Sequence, residues 1–176
     1  MLRHLDVVMP GRFWPLQRET LKAARRTGVE LWSYNLGSSR LSYGYYLWKT
    51  ALKGRSQWTY DGTSSHRDPV FGLSWGGGAP RANSSVAPEM QSVPSRRWFI
   101  HFREGIEDFR YLQLLEQELA ENPDGRAAER ARAVLRELSS RIDEEFGSPR
   151  NDWSPWTYDY FRWQIARAIM AFDESG

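Results

Sequence analysis

From Pro94 onward the apolar residues of this chain recur only at helical spacing, and that tail limits how much sheet the remainder can build. Phe99, Phe102, Ile106, Phe109, Leu112, Leu115 and Leu119 follow one another at steps of three and four, giving a first helix one broad apolar face. Gly105 lies inside it. A mid-helix glycine costs about 1 kcal/mol against alanine, so another element is expected to pack closely there. Asn122-Pro123-Asp124-Gly125 breaks the pattern. A second helix, roughly Arg126 to Phe146, aligns Ala127, Ala131, Val134, Leu138 and Ile142. After the break at Gly147 to Asp152, Ser154 reads as an N-cap with Pro155 at the first helical position. Trp153 and Tyr158 are spaced as a hydrophobic staple. This third helix runs to about Phe172, with Tyr158, Phe161, Ile165, Ala168, Ile169 and Phe172 inward.

The first sixty residues have a different rhythm. His4 to Met9 is a short strand closed by Pro10-Gly11, and Pro15 to Thr27 is a helix with Leu16, Thr20, Leu21 and Ala24 on one side. Gly28 is placed to end it in the left-handed conformation. Val29 to Tyr34 alternates Val29, Leu31 and Ser33 with Glu30, Trp32 and Tyr34, as a strand does. Ser38 or Ser39 caps the next helix, Arg40 to Lys53, which turns Leu41, Tyr45, Trp48 and Leu52 inward and ends at Gly54. Ser56 to Tyr60 is the third strand. Alternating strands and helices favour parallel pairing with right-handed crossovers.

Between these halves, Asp61 to Ser92 is rich in Gly, Pro and Ser. A further strand fits Val70 to Trp75 or Ser85 to Ala87. The Gly76-Gly77-Gly78 run lacks the Lys-Ser/Thr of a phosphate-binding loop. No cysteine occurs, and His4, His66 and His101 are too scattered for a metal site, so neither metal nor organic cofactor is expected. The net charge is +2 with acids and bases interleaved, which gives no basic stripe for nucleic acid. No apolar run approaches the roughly 20 residues of a membrane span. The N-terminus does not read as a secretory signal; a preceding segment could carry one, and localisation stays open. Nine Trp, eight Tyr and eight Phe make 14% of the chain; large aromatics mostly fill cores, and exposed aromatic rings also stack on the C–H faces of sugars.

The segment Pro94 to Leu115, PSRRWFIHFREGIEDFRYLQLL, resembles a segment of glycoside hydrolase family 123 and its uncharacterised relatives whose pattern runs roughly PSxRxxxxReGieDyxYLxLL, with one residue more between Arg97 and Arg103 here. The residues that match are Pro94, Ser95, Arg97, Arg103, Glu104, Gly105, Ile106, Glu107, Asp108, Tyr111 and Leu112. LDVVMP at Leu5 to Pro10, ELWSY at Glu30 to Tyr34 and the stretch Arg40 to Thr59 are similar to the family's strand and helix segments, in the same order. The likeness covers most of residues 4 to 119. It implies a (β/α)8 barrel with its site at the C-terminal ends of the strands. A complete barrel takes roughly 250 residues. The expected fold class is therefore α/β: a partial (β/α)8 TIM-type barrel, its C-terminal half, over residues 1–120, followed by a helical extension over residues 121–176.

In that family an adjacent Asp and Glu on an earlier strand protonate the leaving oxygen and assist attack by the substrate's 2-acetamido group. No such pair sits at a strand end here, so no catalytic residue is assigned. Glu107-Asp108 and Asp143-Glu144 fall inside helices, where adjacent side chains diverge by about 100° and cannot bracket a bond. Arg97, Arg103 and Arg110 are placed to ion-pair with Glu104, Glu107 and Asp108. Arg40 matches a family arginine and serves either a salt bridge or a ligand. The candidate carbohydrate contacts are Trp32, Tyr34 and Asn35 at the second strand and Trp58, Tyr60 and Asp61 at the third. Trp32 and Trp58 can equally be interior packing. The resemblance implies the C-terminal portion of a β-N-acetylgalactosaminidase-type protein that contacts an N-acetylhexosamine-containing glycan and is inactive alone. The alternatives are a non-catalytic carbohydrate-binding or truncated fragment, and a helical interaction module on residues 94–174. Open sheet edges would favour self-association.

Overall fold

The computed structural model describes residues 6–10, 17–36, 39–56 and 97–174, with the side chains of residues 97–99 excepted. Three short parallel strands, β1 (Val7–Val8), β2 (Glu30–Tyr34) and β3 (Gly54–Ser56), pair in the order β1-β2-β3. Between them run α1 (Arg18–Thr27), α2 (Arg40–Tyr43) and α3 (Tyr45–Thr50). Three long helices follow: α4 (Arg97–Glu121), α5 (Gly125–Arg141) and α6 (Pro155–Asp173).

The local signals account for most boundaries. Gly28 closes α1 at φ +70°. The Ser39 side chain accepts the Ser42 N–H at the start of α2, and the Ser154 side chain accepts the Thr157 N–H at the start of α6, where Pro155 is the first residue. Trp153 and Tyr158 meet at 5.4 Å between ring centroids. The single helix expected over Arg40 to Lys53 is instead two, broken at Gly44 (φ −121°, ψ −97°). That break lets α2 and α4 approach to backbone distance. A Cβ on Gly44 would stand 2.5 Å from the Gly105 carbonyl oxygen, and one on Gly105 would stand 2.6 Å from Tyr43 Cβ and 2.7 Å from the Arg40 carbonyl oxygen. The helix also ends before Gly54, at Ala51 with φ +55°.

The expected partial barrel is not what forms. The described residues are 69% helix and 8% strand, and their sheet has only three parallel strands. The physical reason lies in β2. Parallel barrel strands are buried on both faces and read as continuous apolar runs. β2 reads Glu-Leu-Trp-Ser-Tyr, burying Leu31 and Ser33 while Glu30 and Trp32 stay exposed. The helices fill the role a barrel interior would have had. Leu41, Tyr45 and Tyr46 from α2 and α3 pack in one core with Leu112 and Leu115 of α4, Ala131 and Leu138 of α5, and Phe161, Ile165 and Ala168 of α6. The third strand begins earlier than expected, at Gly54. Trp58, Tyr60, Asp61, the glycine run and the expected further strand lie outside the described residues.

The α2–α4 contact yields a stability prediction. Gly105→Ala gains about 1 kcal/mol of helix propensity but drives a methyl into backbone and a Cβ, and such overpacking costs about 1–3 kcal/mol or more. A net lowering of the denaturation midpoint is expected. A neutral or higher midpoint in guanidinium unfolding would show that the two helices separate freely.

Candidate carbohydrate face and the carboxylate clamp behind it

The exposed side of the sheet is built from side chains two apart in sequence. Register pairs Val7 with Glu30, Trp32 with Gly54, and Tyr34 with Ser56. The Trp32 indole lies across Gly54: a Cβ there would fall 2.5 Å from Trp32 Cδ2 and 2.6 Å from Cε3. Glycine at that position therefore lets the ring lie flat over the neighbouring strand. The indole N–H donates to Glu30 Oε1 at 2.6 Å, which holds the ring along its own strand. Trp32 remains 37% exposed, and Val7 and Met9 of the first strand region are exposed as well. Tyr34 follows on the same face, half-buried. Asn35 turns the chain at φ +53°, its N–H donating to the Ser56 carbonyl at 3.0 Å. The structure thus brings together Trp32, Tyr34 and Asn35, while Trp58, Tyr60 and Asp61 lie outside the described residues.

The opposite face of the sheet meets the helices and is polar at one point. Ser33 is buried, and its register partner Arg55 donates to Ser42 Oγ at 2.6 Å and stacks its guanidinium 3.5 Å over the Tyr43 ring. Burial lowers the Arg55 pKa to about 10. Sequence reading passed over Arg55, whose neighbours gave no sign of burial.

Behind this layer sits the one fully buried carboxylate among the described residues, Asp108 of α4. Arg40 donates to it twice, Nε to Oδ2 at 2.6 Å and Nη2 to Oδ1 at 3.0 Å. Arg162 of α6 donates from Nε to Oδ1 at 2.6 Å. Arg162 also reaches Glu104 Oε2 at 2.6 Å and the Glu104 carbonyl at 2.8 Å, and Arg40 reaches Asp159 at 2.9 Å. Burial raises the Glu104 pKa, but hydrogen bonds from Arg103 and Arg162 outweigh it and leave the group below its ordinary value.

These contacts resolve the charge pattern of the α4 motif. Arg103 answers Glu107 at 3.8 Å, the i,i+4 pair that helical spacing predicts, and also its immediate neighbour Glu104 at 3.0 Å. Asp108 is answered by arginines of two other helices. Arg40 is a salt-bridge partner. Asp143 and Glu144 bind Arg18 at 3.0 Å and Arg25 at 2.7 Å, tying the segment after α5 to α1. Among the described residues, then, these acids are occupied by arginines, and no group of His, Cys, Asp and Glu could hold a metal ion. A cleft of about 250 Å³ lined by Leu21, Val29, Leu31 and Lys53 sits beside α1 and contains none of the expected sugar contacts. Comparison with protein-family models, with curated proteins and with solved structures finds no match to this chain.

Removing the Asp108 charge takes the shared buried counter-ion from two guanidinium groups and leaves Arg40 with Asp159 and Arg162 with Glu104 and Glu107. Breaking a buried pair costs about 3–5 kcal/mol, whereas an exposed pair is worth about 0–1 kcal/mol. Asp108→Asn is therefore expected to destabilise far more than Asp143→Asn in parallel denaturant titrations; equal effects would contradict the clamp. Acid should act through Glu104. Its folded pKa is depressed, so its contribution is present above the unfolded value, about 4.3, and is lost as pH falls through the folded value. Glu104→Gln should flatten the acid limb of a melting-temperature profile below about pH 4.

Proposed function

We propose that this chain is a carbohydrate-contacting portion of a glycoside hydrolase family 123-like protein, carrying sugar contacts but no general acid. The observation that carries this reading is the Trp32 indole, laid flat over Gly54 with an exposed face, beside Tyr34 and Asn35. A flat apolar ring stacks on the C–H face of a pyranose, and a neighbouring phenol and amide supply donors and acceptors for hydroxyl and acetamido groups. The motif resemblance supplies the sugar class, an N-acetylhexosamine. The motif residues themselves, Glu104, Gly105, Glu107 and Asp108, hold α4 against α2 and α6, which fits a structural role for that segment. Hydrolysis in this reading needs an Asp-Glu pair from outside the described residues, because the mechanism the resemblance implies uses one carboxyl group to protonate the leaving oxygen and the other to assist attack by the substrate's 2-acetamido group.

Titration of the chain with N-acetylgalactosamine oligosaccharides, followed by tryptophan fluorescence and calorimetry, tests the reading. Binding is expected in the millimolar range or better, and Trp32→Ala should weaken it about tenfold, near 1.4 kcal/mol. No aryl N-acetylhexosaminide should be hydrolysed. Absence of binding, or an unchanged affinity in Trp32→Ala, would overturn the assignment.

A further inference from the structure

Helix α6 is apolar on two opposite faces. Phe161, Ile165, Ala168 and Phe172 enter the core. On the outer side, Trp156 is 83% exposed, Tyr160 44%, Trp163 56% and Met170 57%. With Arg167 and Glu174 these residues form a stripe at steps of four, three, four, three and four, the heptad spacing of a helix that packs along a second helix. A helix that is apolar all round is ordinarily buried all round.

We propose that this outer face is the contact through which two copies of the chain associate, with their α6 helices antiparallel about a two-fold axis at residue 165. The stripe is chemically self-complementary in that one register. Heptad layers in an antiparallel pair join residues whose numbers add to a constant, here 330. Tyr160 then meets Met170 of the other copy, Trp163 meets Arg167, and Trp156 meets Glu174. These are a sulfur–aromatic contact, a cation over an indole, and an indole N–H facing a carboxylate. Within one copy the Arg167 guanidinium already lies 4.5 Å over the Trp163 ring, so the central layers become an alternating stack of arginine and tryptophan. An isologous contact of this kind closes on itself as a dimer. The four exposed apolar side chains offer about 500 Å² per copy, given roughly 150–250 Å² for each large side chain. The pair buries about 1,000 Å², the smallest area at which a specific interface is expected and one typical of weak, reversible association. This contact is independent of the carbohydrate reading and of the open sheet edges.

Sedimentation velocity over a dilution series of the full chain is expected to show a monomer–dimer equilibrium in the micromolar range. The double variant Trp156→Ala/Trp163→Ala should weaken association at least tenfold, while circular dichroism and the melting temperature, compared at dilutions where both proteins are monomeric, stay unchanged because both rings are largely solvent-facing in the monomer. The chain has no cysteine, so geometry can be read directly. Ala166→Cys, one residue from the axis, should give a covalent dimer with a short bismaleimide. Asp173→Cys should not, because the two thiols would lie about 24 Å apart along the helices. The inference is overturned by a monomer at hundreds of micromolar, by a dimer that the double variant leaves intact, or by equal cross-linking at the two cysteines. It is also overturned if Trp32→Ala abolishes association, or if the α6 tryptophans prove to bind glycan without affecting self-association.

Discussion

A single carboxylate organises the helical half of this protein. Asp108 is fully buried and receives three hydrogen bonds from two guanidinium groups on two different helices. Taking such charges out of water costs several kcal/mol per ion, and the attraction recovers this only where geometry and hydrogen bonding are good. Here both oxygens are occupied, and the arginines spread their remaining donors onto Glu104 and Asp159. The net contribution of the pair to stability is therefore modest, while its contribution to alignment is large. α2, α4 and α6 have one relative placement that satisfies every donor. A shift of one helical step would leave a charge buried alone.

The clamp and the glycine contact are parts of one arrangement. Arg40 opens α2, Gly44 closes it, and both face the same turn of α4, which carries Gly105 and Asp108. Removal of Cβ atoms at Gly44 and Gly105 brings the backbones close enough for the short Asp108 side chain to reach the arginine. The aromatic residues then seal the site. Tyr45 packs with Trp153, Tyr158 and Phe161, and its hydroxyl donates to the Tyr158 carbonyl at 3.2 Å. Burial in this cluster raises the Tyr158 pKa to about 12.

The elements whose signals are local could be read from sequence: the caps at Ser39, Ser154 and Gly28, the staple of Trp153 on Tyr158, and the alternation of β2. What escaped depended on contacts between distant segments. The expected apolar face of α4 holds at Leu112 and Leu115, which are fully buried, but Phe102, Ile106 and Phe109 are only half-buried, and Gly105 and Asp108 lie at the buried centre of that half of the helix. The clue was present, since positions 105, 108, 112 and 115 are themselves spaced by three, four and three. A glycine and an aspartate do not register as apolar, however, and so the stripe was drawn beside them. Arg162 was missed for the same reason, as a cation inside an apolar helix whose partner lies 54 residues earlier. The order of elements fits a barrel, but the one-sided pattern of β2 does not fit a strand buried on both faces. Of the proposed sugar face, the shared side of Trp32 and Tyr34 is legible from alternation, but the seat of the indole over Gly54 requires the strand register.

The position of Arg162 along the chain has a consequence for how the molecule comes into being. A ribosome makes α2 and α4 well before α6, so the nascent chain holds Asp108 with only Arg40 to answer it. The α2–α4 pair then lacks one guanidinium and the aromatic seal from Tyr158 and Phe161. Sealing of the clamp must wait for α6 to emerge, which makes that helix the closing piece of this arrangement. Long-range closure of this kind is slow relative to local helix formation. During that interval the apolar faces of α4 and α5 stand open to water and to neighbouring chains, a window in which a chaperone would find its substrate.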